Sequence, residues 1–208
     1  MSDMETGPFD LAVLQQIEST LDGLLPNDGL DQARGLQRVA AAMRYSALAG
    51  GKRLRPCLTV YSADLFGVPR AQALRAGAAV EFIHCYSLIH DDLPAMDDDD
   101  LRRGQPTVHI AFDEATAILA GDTLLTMSFD VIARPETHLD DSCKTALILG
   151  LSRAAGIGGM AGGQVLDLDA EENAPGEEDI IRLQAMKTGA LIRFACEAGA
   201  IVGGATDG

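Results

Sequence analysis

The stretch Glu81-Phe82-Ile83-His84-Cys85-Tyr86-Ser87-Leu88-Ile89-His90-Asp91-Asp92-Leu93-Pro94-Ala95-Met96-Asp97-Asp98-Asp99-Asp100 passes from an apolar run into six carboxylates within ten residues. Solvent alone screens an acidic tail, but these acids adjoin a segment too apolar to be one. Were the helix to continue through them, Asp91 and Asp97 would stand about 240° apart around its axis and could not share an ion. Pro94 has no N–H to donate and disfavours helix at Leu93. The chain is therefore expected to bend there and bring the second acidic group back toward the first. Acids gathered in this way need cations. Carboxylate oxygens, retained waters and a bound phosphate are the ligands Mg²⁺ prefers, and neither a cysteine nor a paired histidine stands nearby to favour zinc.

Outward from this segment, apolar residues recur at spacings of three and four over 11–25, 36–48, 71–89, 115–133, 144–151 and 180–200, the period of amphipathic helices. Breakers separate these runs: Pro26-Asn27-Asp28-Gly29, Gly50-Gly51, Gly67-Val68-Pro69, the segment 94–106, Arg134-Pro135 and the segment 173–176. No sustained alternation marks a strand, and no repeat of fixed period is visible. The expectation is an all-α helical bundle in a single domain over residues 1–208. Its 47% apolar content, with no tryptophan and 4% aromatics, suits close helix packing. One stretch is ambiguous: Gly156, Gly158, Gly159, Gly162 and Gly163 permit either close helix approach or a loop. A phosphate-binding loop there lacks its Gly-Lys-Ser/Thr and a preceding strand. Lys187-Thr188-Gly189 likewise lacks the companion motifs of a serine β-lactamase.

A formal net charge of −15 repels nucleic-acid phosphates and anionic lipid headgroups, so an anionic substrate must be met by local cations. Cys57, Cys85, Cys143 and Cys196 form no Cys-x-x-Cys pair and read as reduced core thiols. The amino terminus carries no basic stretch followed by an apolar core, and no run approaches eighteen apolar residues without a charge. These features lead to the expectation of a soluble cytoplasmic protein.

Two basic clusters answer the need for cations. Leu101-Arg102-Arg103-Gly104-Gln105-Pro106 presses two guanidinium groups against the acids, and arginine is shaped to clamp diphosphate oxygens in bidentate fashion. Gly50-Gly51-Lys52-Arg53-Leu54-Arg55-Pro56 ends one helix and starts another. Free N–H groups and the helix dipole there add to Lys52 and Arg55 as an anion site. His84, seven residues before Asp91, faces the same way on a straight helix and could donate a hydrogen bond to phosphate.

Together with Leu119-Ala120-Gly121-Asp122, Gly163-Gln164 with Asp167, and Lys187-Thr188, these motifs resemble those of the trans-prenyl diphosphate synthases, particularly the bacterial farnesyl type, in order and spacing along nearly the whole chain. The resemblance implies a bundle of the isoprenoid synthase type around a central substrate cavity. It further implies that Asp91, Asp92 and Asp97 bind Mg²⁺ against an allylic diphosphate that Arg102 and Lys187 also contact, with Thr188 and Gln164 assisting. Lys52, Arg55, His84 and Arg103 would hold isopentenyl diphosphate. Catalysis would fall to Asp91, Asp92, Asp97, Arg102 and Lys187. Tyr86, with Ser87, would set product length by blocking the cavity below the acids, giving a farnesyl product. A homodimer is implied too. The family carries a second aspartate-rich motif on a later helix, and the 208 residues end without one. A truncated non-catalytic partner of a prenyl synthase, or a class I terpene cyclase, are the competing readings. The Lys52 and Arg55 cluster argues against the cyclase, which needs no isopentenyl diphosphate.

Overall fold

The computed structural model describes residues 9–27 and 33–205. The break expected at Pro26 to Gly29, the character of the amino terminus and the last three residues fall wholly or partly outside them. The described chain forms α1 (Leu11–Leu24), α2 (Arg34–Ala47), α3 (Leu54–Asp64), α4 (Arg70–Asp91), α5 (Val108–Ala111), α6 (Glu114–Ala133), α7 (Asp141–Ala155), α8 (Met160–Glu172), α9 (Glu177–Gln184) and α10 (Ala190–Val202). A π-helical turn over Ala185–Gly189 joins the last two. Three starts are fixed by aspartates whose carboxylates accept backbone N–H groups: Asp10 from Ala12 at 2.8 Å, Asp113 from Thr116 at 2.7 Å and Asp140 from Ser142 at 2.8 Å. Each such cap satisfies a donor the helix leaves free and contributes about 1 kcal/mol.

The all-α expectation holds, and α4 is the axis of the bundle. Its buried residues, among them Ala76, Gly77, Ala79, Phe82, Ile83 and Ile89, lie on every side, as befits a helix walled by α1, α3, α6 and α10. A Cβ on Gly77 would stand 3.1 Å from the Pro56 Cα, so glycine lets α3 approach closely. Phe82 and Phe194 are almost wholly enclosed, each contributing roughly 2–3 kcal/mol through burial. The α3–α10 seam is sewn by hydroxyls: Thr59 Oγ1 donates to the Ala195 carbonyl at 2.8 Å and Ser62 Oγ to that of Cys196 at 2.6 Å. Gly199 is pressed onto the α3 backbone at Thr59 and Ala63.

The helix expected to start at Pro56 runs over Leu54–Asp64. The structure departs from the sequence reading in three places and settles the ambiguous glycine stretch. The run at 180–200 is not one helix but α9, a π-helical turn and α10. The glycine-rich stretch resolves into a turn followed by α8, whose Gly162 and Gly163 lie against Met186 and the Lys187 backbone. A short antiparallel hairpin, β1 (Leu101–Arg102) and β2 (Gln105–Pro106), interrupts the helices. Its two-residue turn holds Arg103 at φ 54° and Gly104 at φ 78°, the left-handed pair of a tight hairpin whose twist suits the strands. Finally, only Cys57, Cys85 and Cys143 are buried thiols, while Cys196 is exposed. Glu114–Ala133 and Asp141–Glu171 are long and apolar enough by length and composition to cross a membrane. In α6, however, Ala117, Ala120, Gly121 and Leu124 are buried and the helix packs on α4, and the second span is broken by the glycine turn between α7 and α8.

Candidate active site

At the end of α4 the chain reverses as Pro94 requires. The Asp97 amide donates to the Asp91 carbonyl at 2.8 Å, while those of Met96 and Asp98 donate to Leu93 at 2.8 and 3.2 Å. Asp98 completes the reversal at φ 51°, a left-handed conformation aspartate tolerates better than most residues. Asp97 thus returns beside Asp91. Neither carboxylate makes a hydrogen bond or ion pair among the described residues. Burial pushes the Asp91 carboxyl up to about 6; Lys187 opposes this and the Asp97 charge adds to it. Asp92 behaves differently. It is buried and gripped by Arg102, with Nε at 2.7 and 3.0 Å from its two oxygens and Nη2 at 2.5 Å from Oδ1. This contact raises the guanidinium's proton affinity. The hairpin carrying Arg102 is anchored by buried Thr107, whose hydroxyl donates to the Asp99 carbonyl at 2.8 Å.

Arg103 at the hairpin tip donates through Nη1 to the Gly50 carbonyl. A side chain on Gly51, whose φ is 129°, would collide with its guanidinium, so glycine is required there twice over. Arg55 projects toward the same region with its Nε buried and unpartnered among the described residues. Between these groups lies His84. Burial first, then the charges of Arg55, Arg103, Arg102 and Arg53, hold its imidazole down at about 3. A neutral histidine ringed by guanidinium groups makes a pocket of positive potential for an anion.

His84 also makes stability depend on pH. Its folded-state value lies below the unfolded one, so the unfolded chain alone takes up this proton as pH falls from about 6.5 to 3, and stability is lost across that window. From this group the loss at pH 5 should be about 2 kcal/mol. Urea unfolding at pH 7.5 and 5 would measure it, and His84→Gln should remove that share of the difference. An imidazole proton that NMR titrates near the ordinary value would refute the assignment.

Near Asp91 stands Lys187, on the π-helical turn. Such turns carry one extra residue and recur at functional sites. Its ammonium pairs with Asp167 of α8 and also lowers the proton affinity of Asp91. Gly163 makes the approach feasible, since a Cβ there would strike the Lys187 backbone. Gln164 is buried with neither its amide oxygen nor its nitrogen partnered among the described residues. Such an orphaned amide costs on the order of 1–3 kcal/mol unless a ligand or water completes it.

The structure thus gathers Asp97, Arg102 and Lys187 about Asp91 and Arg55, Arg103 and Arg102 about His84. Lys52 and Thr188 are exposed beside these groups, and Ser87 donates to the His84 carbonyl at 2.9 Å. Half-buried Tyr86 packs edge-on against the His90 ring. Among the described residues no three His, Cys, Asp or Glu side chains converge as a metal cluster, because Asp92 is turned into Arg102. The donor chemistry still suits a hard divalent ion: Asp91 and Asp97 offer unpaired carboxylate oxygens, and their mutual repulsion falls when a cation joins them. Arg53, inside the basic motif, does not face the site. It is 3% exposed and bonds Glu18 at 2.6 Å, Glu81 at 2.9 Å and the Ala47 carbonyl at 2.7 Å. Its sequence neighbours gave no sign of this. Asp167, as the partner of Lys187, was visible in the sequence only as a motif letter.

The family described as polyprenyl synthetase matches residues 36–208. The chain is 51% identical over 167 residues to the farnesyl diphosphate synthase of Escherichia coli (strain K12), a match covering 80% of this chain and 56% of that protein. It is 44% identical over 191 residues to the heterodimeric geranylgeranyl pyrophosphate synthase large subunit 1, chloroplastic, of Arabidopsis thaliana, covering 88% and 52%. The apo structure of an FPP/GFPP synthase from Zymomonas mobilis superposes with a TM-score of 0.87 at 49% identity, covering 94% of this chain and 69% of that one. This chain belongs to the polyprenyl synthetase family. It spans little more than half the length of the two curated relatives.

Proposed function

We propose that the protein is a trans-prenyltransferase that joins isopentenyl diphosphate to dimethylallyl or geranyl diphosphate and stops at farnesyl diphosphate. The observation that carries this reading is the set of cations gathered about the unpaired acids: Lys187 and Arg102 act on Asp91, and Arg55 and Arg103 act on His84. Two adjacent anion sites are what a condensation of two diphosphates needs. The same reading takes the enzyme to be a cytoplasmic homodimer.

Arg102 and Lys187 would grip the allylic diphosphate, Arg102 through the Nη1 that Asp92 leaves unused. Lys52, Arg55, Arg103 and neutral His84 would hold isopentenyl diphosphate so that its alkene lies beside the allylic C1. Thr188 and Gln164 would complete the allylic site. Asp91, Asp92 and Asp97 would hold magnesium, which when bound supplies neutralising charge as the diphosphate departs. Cationic side chains act most strongly where charge develops in a site closed to water, and the apolar bundle excludes the water that would quench an allylic cation. The isopentenyl proton would leave to the departed diphosphate. Tyr86 would form the cavity floor.

Incubation with Mg²⁺, geranyl diphosphate and labelled isopentenyl diphosphate tests the reading. Labelled farnesyl diphosphate supports it, whereas a cyclic hydrocarbon or no condensation at all overturns it. Tyr86→Ala should extend the product by at least one isoprene unit, since removing a half-buried ring opens space below the acids. An unchanged product distribution would sink the assignment of Tyr86.

A further inference from the structure

His90 stands one residue before the paired acids, yet its side chain points away from them, into the seam between α4 and α6. Its Nε2 lies 3.1 Å from the Ile118 carbonyl; a carbonyl only accepts, so this nitrogen carries the hydrogen. The Asp122 carboxylate is 3.9 Å from the same atom. The ring fits only because residue 121 is glycine: a Cβ there would fall onto Nε2. On its other side the ring meets that of Tyr86, one helical turn earlier, with centroids 5.7 Å apart and planes at 79°. This is the edge-to-face arrangement aromatic pairs prefer. Gly121 and Asp122 belong to a motif for which the substrate sites offer no use. The structure gives the motif one: it seats His90.

We infer that His90 is a positioning residue for product length, holding the Tyr86 ring across the cavity through a clamp made of Ile118, Gly121 and Asp122. The inference rests on the prenyltransferase reading and on Tyr86 as the cavity floor. Tyr86 forms no hydrogen bond among the described residues that would fix its ring. Its half-buried ring rests against the hydrophobic core, and packing alone holds it. The His90 ring packs there, and His90 is itself tied to the α6 backbone. Remove the imidazole and Tyr86 can swing into the vacated space, lowering the floor while the tyrosine stays in the chain. The prenyl tail is then read jointly by α4 and α6, and not by Tyr86 alone.

The test compares tail-length discrimination by calorimetry in Mg²⁺, using non-hydrolysable thiolo-diphosphates of farnesyl and geranylgeranyl chain length, together with product analysis from isopentenyl and geranyl diphosphates. The variants are Tyr86→Ala, His90→Ala, His90→Gln and Tyr86→Ala/His90→Ala. His90→Gln keeps a donor for the Ile118 carbonyl and should fold as the parent does, but it lacks the ring. The parent should favour the shorter analogue by about tenfold or more, the scale on which an apolar pocket rejects excess length. Both His90 variants should bring that ratio near one and shift products toward longer chains. In the double variant His90→Ala should add nothing beyond Tyr86→Ala. If Tyr86→Ala relaxes the ratio while both His90 variants keep it, or if the two changes simply add, the clamp is refuted and Tyr86 still stands as the floor. If Tyr86→Ala also leaves the ratio unchanged, or the parent binds neither analogue, the underlying reading falls and takes the clamp with it.

Discussion

Asparagine in place of Asp91 is expected to cut elongation by a factor on the order of a thousand and, at the same time, to make the metal-free protein more stable. The second half follows from the direction of the proton shift. Folding raises the Asp91 carboxyl from 3.8 to about 6, so between those values the folded chain holds a proton that the unfolded chain has released. Ionising Asp91 therefore costs stability, a cost that is absent below about pH 3.8, grows as pH rises through the window and is complete above 6. After allowance for partial solvent screening, the gain from Asp91→Asn at pH 7.5 should be on the order of 1–2 kcal/mol. Thermal melts in a chelating buffer would show it, and the gain should vanish near pH 3.5. Saturating Mg²⁺ should reverse the order, since the parent alone keeps the full ligand set. A variant no more stable than the parent in chelator at pH 7.5 would mean that Asp91 carries no such strain.

Arg53→Ala should have the largest effect on folding, costing about 3–5 kcal/mol because it strands a buried carboxylate. Side-chain exposures of 1% for Arg53 and 4% for Glu81 leave almost no water to compensate Glu81, while Glu18, at 40%, can turn to solvent. Against a typical domain stability of about 5–15 kcal/mol, such a loss brings the chain close to unfolding. The double variant Arg53→Met/Glu81→Gln should regain at least half of it, as no charge is then left enclosed. Lys52→Ala, one residue earlier and exposed, should change stability by less than about 0.5 kcal/mol and act on substrate affinity instead. Urea unfolding of the three variants decides the matter: equal costs for Arg53→Ala and Lys52→Ala would show that the buried Arg53–Glu81 pair contributes nothing.

These two residues show what the sequence makes legible and what it does not. The reversal that returns Asp97 to Asp91 could be read from Pro94, since a missing N–H and a steric rule act locally. The separate duties of Lys52, Arg53 and Arg55 could not, because one short motif holds three cations and only the packing of α1 and α4 decides which is enclosed. The same holds for Asp92. Its letter matches that of Asp91, but its orientation at the α4 terminus hands it to Arg102. The helices at 70–91 and 114–133 are long and apolar enough to announce themselves. The helix at 54–64 could be read from its start at Pro56 though not from its period, and α8 is disguised by glycines, one of which lets the Lys187 backbone come near. The hairpin, two residues per strand, is too brief for alternation to register, and Arg103-Gly104 lacks the Asn or Asp that usually announces such a turn.

The seam between α3 and α10 has a consequence for synthesis. Thr59 and Ala195 bond across 136 positions of sequence, so the side of α3 that α10 covers stays bare until the ribosome has made the intervening chain. At about 5–20 residues per second that interval is on the order of ten seconds. Throughout it the nascent polypeptide presents an uncovered strip with Thr59 and Ala63 at its centre, long enough for a chaperone to engage it before α10 arrives.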